Sequence, residues 1–134
     1  MIKKTLVAVA VSASFLTLSG CASESTISEV SQETGETQAF SASRTDVVAA
    51  SVATFAELGL NLKDTTEANG ATTLVFSKPV SAFSWGEVGK VVVQDQSGGV
   101  AVTVVASPRT VTSIFATTQA TFAQQIFAGI SAKL

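Results

Sequence analysis

Val88-Gly89-Lys90-Val91-Val92-Val93-Gln94-Asp95-Gln96-Ser97-Gly98-Gly99-Val100-Ala101-Val102-Thr103-Val104-Val105-Ala106 is the stretch whose reading decides the fold. Valine is β-branched and stiff at χ1, so it suits a pleated surface better than a helix. Two valine-rich runs, Val88 to Gln94 and Val100 to Ala106, flank a polar turn at Asp95 to Gly99, which predicts an antiparallel hairpin. Val91 and Val93 share one face of the first strand. Val100, Val102 and Val104 share one face of the second, as a two-residue period requires.

Upstream, Asn69-Gly70 predicts a tight turn because both residues tolerate positive φ. The β-branched run Thr72 to Ser77 follows it, with Leu74 and Phe76 on one face, and Lys78-Pro79 interrupts that strand. Before the turn, Leu60 and Leu62 alternate with Asn61 and Lys63, predicting a short strand with one buried face. Ser43-Arg44-Thr45-Asp46 has the pattern of a helix start, with Ser43 as the cap. Val48, Val52, Phe55 and Leu58 recur at helical spacing up to Gly59, so a helix is expected over 44–58.

Downstream of Ser107-Pro108-Arg109, Thr110 or Thr112 is placed to cap a last helix. Phe115, Phe122, Ile126, Ile130 and Leu134 form its apolar stripe, flanked by Ala123 and Phe127, and Thr117, Gln119, Gln124 and Lys133 are expected to face water. A helix lying on a lipid surface would favour Lys and Arg on its polar face, and this one has Lys133 alone near its end. The fold class expected is α+β: a two-layer sandwich of about four antiparallel strands, with an N-terminal and a C-terminal helix packed on one face.

The N-terminus has a different character. Lys3 and Lys4 precede an uncharged apolar run from Thr5 to Leu18, which ends in Ser19-Gly20-Cys21. That run is shorter than the ~20 apolar residues a bilayer span needs, and the polar chain that follows does not extend it. It reads as an export signal. Leu18-Ser19-Gly20-Cys21 resembles the lipobox of bacterial lipoproteins. The resemblance implies cleavage between Gly20 and Cys21, a diacylglyceryl group on the Cys21 sulfur, and acylation of the freed amine by a fatty acid such as palmitate. It also implies attachment to the cell membrane by lipid anchor. Ala22, where Asp would favour inner-membrane retention, implies an outer-membrane address facing the periplasm. The chain further resembles small periplasmic lipoproteins of Gram-negative bacteria that pair an anchored acidic tether with one domain, a likeness that implies no activity.

Three segments are therefore expected: a signal peptide over 1–20, lipidated Cys21 with a flexible acidic tether over 21–43, and one globular domain over 44–134. The tether carries Glu24, Glu29, Glu33 and Glu36 and few large apolar residues, chiefly Ile27, Val30 and Phe40. Such composition does not offset its ordering entropy. The domain carries acids Asp46, Glu57, Asp64, Glu67, Glu87 and Asp95 against bases Arg44, Lys63, Lys78, Lys90, Arg109 and Lys133, so its formal charges cancel. That balance offers no footprint for nucleic acid.

The chain has no His, no Tyr and a single Cys. Histidine zinc sites and Ser-His or Cys-His nucleophiles are thereby excluded, and no cofactor or metal is expected. Ser77 and Lys78 are adjacent on a strand and point to opposite faces, so they form no dyad. No enzymatic activity is expected. The best candidate contact is Phe83-Ser84-Trp85-Gly86-Glu87, where the one Trp stands in a poorly periodic connection. Glu87 is within reach of pairing with Lys90, or both belong to a solvated edge. The expected function is binding or assembly support within the cell envelope. The alternative is a periplasmic carrier of an apolar ligand held between sheet and C-terminal helix, near Phe115, Phe122 and Phe127.

Overall fold

The computed structural model describes residue 27 and residues 34–79, 87–108 and 119–134. In chain order the elements are β1 (Glu36–Phe40), α1 (Arg44–Glu57), β2 (Asn61–Ala68), β3 (Ala71–Lys78), β4 (Glu87–Gln96), β5 (Gly99–Pro108) and α2 (Gln119–Ser131). The strands form one antiparallel sheet in the order β1-β5-β4-β3-β2, and both helices pack on one face. The α+β class is as expected. The sheet has five strands instead of about four, because Glu36–Phe40, assigned from sequence to the tether, pairs with β5.

The decisive hairpin forms with a tighter turn and longer arms than its valines alone mark, since pairing runs from Glu87↔Pro108 to Gln96↔Gly99. Asn69 and Gly70, at φ 53° and 74°, join β2 to β3. In α1, the Ser43 hydroxyl accepts from the Asp46 amide at 3.2 Å, as a capping serine does. At the other end Gly59 takes φ 69°. The Leu60 amide donates to the Phe55 carbonyl at 2.8 Å and the Gly59 amide to the Ala56 carbonyl at 3.3 Å, the paired bonds of a Schellman cap.

The buried stripe of α1 is Val47, Ala50, Ser51, Thr54 and Phe55, rotated from the Val48-Val52 stripe expected, and Val52 is exposed. Hydropathy misplaces it because two of its members are polar. Ser51 and Thr54 satisfy their hydroxyls by donating to the Val47 and Ala50 carbonyls, both at 2.7 Å, and bury without other partners. Leu62 departs from expectation too: it is 41% exposed. A register shift between Leu62 and Asp64 breaks the alternation, and every residue of β2 is exposed at this edge. Leu60 is buried, but as the residue closing the α1 cap.

In α2, Phe122, Ala123, Ile126, Phe127 and Ile130 are buried as expected, whereas Leu134 lies beyond the helix and is exposed. Phe115, Thr110 and Thr112 lie outside the described residues. Gln119 is half-buried and bonded through both ends of its amide: its Nε2 donates to the Thr34 carbonyl at 2.7 Å and its Oε1 accepts from the Ala106 amide at 3.0 Å. One side chain thus ties the helix start to β5 and to the entry of β1. At the far end the Lys133 Nζ meets a Glu57 carboxylate oxygen at 2.8 Å, joining the two helices.

Phe76 is the centre of the helix-side core. Its ring packs against Phe55 of α1 at 5.1 Å between centroids and stacks on Phe122 of α2 at 5.4 Å and 7°. The strand residue opposite it is Gly89, where a Cβ would meet the Phe76 ring. The helices meet where Gly129 of α2 lies against Thr54 of α1, and a Cβ on Gly129 would overlap that side chain. Gly129→Ala gains up to ~1 kcal/mol of helix propensity but overpacks this crossing by about 1–3 kcal/mol. In urea denaturation the double-mutant cycle with Thr54→Ala is expected to show a coupling of about 1–3 kcal/mol, the second change rescuing the first. Simple additivity would contradict the contact.

Candidate functional site

Of the residues singled out by sequence, Gly20, Cys21, Phe83 and Trp85 lie outside the described residues, and Glu87 lies within them. Glu87 opens β4 and is 1% exposed, in register opposite Lys78 on one side and Pro108 on the other. Lys78 places its Nζ 5.9 Å from the centroid of the Phe122 ring, a cation–π approach at the rim of the core. Glu87 therefore belongs to the helix side of the sheet.

Lys90 stands three residues along the same strand, an odd step, and so points to the opposite face. A Glu87–Lys90 pair on one face does not form, and neither residue sits at a solvated edge, since β4 is an inner strand and Lys90 is 5% exposed. Ser77 and Lys78 likewise divide between the two faces.

The face carrying Lys90 is the feature that sequence reading missed. Lys90 is flanked in register by Val75 on β3 and Val105 on β5. Val88 and Val92 share its face, and all four valines are buried. The next row sets Thr37 beside Thr103, whose hydroxyls are 2.9 Å apart. Ile27, assigned from sequence to the flexible tether, is 1% exposed and packs with Val75, Val88 and Val105. The available signal was the absence of period-2 polarity in Val88–Val93: an inner strand apolar on both faces needs cover on both.

Two concavities are lined by described residues, and both are open to solvent. An open groove of about 460 Å³ runs beside Asp46, Ala49, Ala50, Ala53, Lys133 and Leu134, and a second of about 470 Å³ lies by Ser43, Arg44, Asp95 and Gly99. Arg44 and Asp95 bridge that second groove at 3.5 Å. Neither groove reaches Phe122 or Phe127, whose rings are engaged with Phe76 and Phe40 inside the core. Among the described residues no group of three or more acids or thiols is placed to hold a metal ion. Models of known protein families, curated proteins and solved structures yield no match to the chain.

Burial pushes the Lys90 ammonium below the ordinary lysine pKa, because desolvation penalises the charged form. With the folded value below the unfolded one, the unfolded chain binds more protons in the interval between them. Stability therefore rises as pH climbs through that interval toward about 10.4. Urea denaturation at pH 8 and pH 10 is expected to show this rise in the wild type and a smaller one in Lys90→Met. Parallel pH dependences would contradict the burial of a charged amine at this position.

Proposed function

We propose that the chain is a membrane-anchored lipoprotein, held through acyl chains on Cys21 at the outer membrane and facing the periplasm, whose domain binds or supports another envelope component without catalysis. The observation that carries this reading is Leu18-Ser19-Gly20-Cys21 at the end of an uncharged run that begins after Lys3 and Lys4. Among the described residues no helix is long and apolar enough to cross a membrane. A thioether-linked diacylglyceryl group with a third chain on the amine supplies the two or more anchors that stable attachment requires, each buried methylene adding ~0.8 kcal/mol.

The domain's chemistry favours a contact role. Its described acids are dispersed, its lysines at 78 and 90 are committed to opposite faces of the sheet, and the two grooves lined by described residues are open. The segment Phe83-Ser84-Trp85 remains the contact we favour for a partner, with Glu87 fixing the end of that segment to the core.

Metabolic labelling with an alkyne palmitate analogue, followed by membrane fractionation, tests the anchor. Wild type is expected to carry label and sediment with outer membranes. Cys21→Ser is expected to lose both. An unmodified Cys21 sulfhydryl or a retained Met1 in the mass of the native product would contradict the reading. A photo-crosslinker at position 85 is expected to capture an envelope protein, and recovery of none would count against the contact assigned to Trp85.

A further inference from the structure

The side of the sheet turned away from α1 and α2 is as well buried as the side beneath them. Val75, Val88, Val92 and Val105 lie there with Lys90, Ser77 and Thr103, and all are buried. Within the apolar cluster on this side, Ile27 is the one described residue from outside the sheet. Full burial of an isoleucine offsets the ordering entropy of its own residue and roughly one neighbour, and so makes a local point of attachment. Glu36–Phe40 of the same region adds β pairing to β5, and the Gln119 bond to the Thr34 carbonyl fixes the point at which this region enters the sheet.

We propose that the valine face of β3, β4 and β5 is the seat of the chain's own N-terminal segment, with Ile27 as the residue that docks there. This holds the sheet close to the bilayer in place of a loose spacer. The distance clause rests on acylation of Cys21. Ile27 follows Cys21 by six steps along the chain, with five residues between them. At ~3.3–3.6 Å per residue the Ile27 Cα stays within about 22 Å of the Cys21 Cα however that stretch is arranged. With Ile27 unseated, the chain from Cys21 to Thr34, where the Gln119 bond fixes its entry to the sheet, could extend to roughly 45 Å at the same rise. The seat therefore sets which parts of the envelope the domain reaches: partners near its own leaflet, not structures across the periplasm.

Thiol accessibility tests the seat. In a Cys21→Ser background, Val88→Cys is expected to react slowly with a maleimide. Adding Ile27→Asp is expected to accelerate it tenfold or more, while Val93→Cys, on the helix side, keeps its rate. Equal rates at Val88→Cys with Ile27 and with Ile27→Asp would overturn the proposal. Should Ile27→Asp open both faces, Ile27→Ala decides. A larger rise at Val88→Cys than at Val93→Cys sustains the seat, and equal rises or none overturn it. The distance clause is read in the full chain, with a donor dye on Ser97→Cys and acceptors on lipid headgroups. Ile27→Asp is expected to lower energy transfer, and unchanged transfer would overturn the short leash. Absence of transfer together with a free Cys21 sulfhydryl removes the anchor alone, leaving maleimide labelling to decide the seat.

Discussion

Burial of β4 and β5 on both faces is the constraint on which the rest of the molecule depends. Alternation sends Val91, Val93, Val100, Val102 and Val104 to one side and Val88, Val92 and Val105 to the other, and every one of them is buried. An antiparallel sheet with one wet face would alternate apolar and polar residues; these strands do not. Each side must therefore be covered. On one side the cover is α1 and α2, held by the rings of Phe55, Phe76 and Phe122 and by the crossing of Gly129 on Thr54. On the other, Ile27 packs among Val75, Val88 and Val105.

The parts of this arrangement that were legible in the sequence are those with local causes. Asn69-Gly70 and Gly98 announce their turns, Ser43 announces the start of α1, and Gly59 its end, because caps and turns are decided by a few adjacent residues. The parts that were not legible depend on distant partners. Glu36–Phe40 reads as an acidic tether, since nothing in Glu-Thr-Gln-Ala-Phe shows that Thr103 and Val100 wait on β5 to pair with it. Ser51 and Thr54 disguise the buried stripe of α1 because each hydroxyl finds its partner one turn back, invisible to hydropathy. Gln119 looks solvated until the sheet edge is in place to receive its amide.

The charged residues of β4 teach the same lesson about the site. Glu87 and Lys90 resemble an exposed acid and base on one edge, yet a three-residue step on an inner strand separates them to opposite faces and buries both. The motif Leu18-Ser19-Gly20-Cys21, on which the proposed anchor rests, is by contrast a short linear pattern whose reading requires no fold. In the function proposed, these two kinds of information meet at Ile27, which lies within seven residues of the motif in sequence and within the sheet's apolar cluster in space. On that proposal, a domain whose second face takes Ile27 from the segment that carries the anchor would be coupled mechanically to the membrane.

Amide hydrogen exchange across β4 and β5, in the full chain and in its Ile27→Asp variant, tests most directly whether that second face depends on the N-terminal segment. If Ile27 supplies the cover, losing its ~1.5–3 kcal/mol of burial speeds exchange of the Val88–Val92 amides by tenfold or more. Identical protection in the two chains would contradict it.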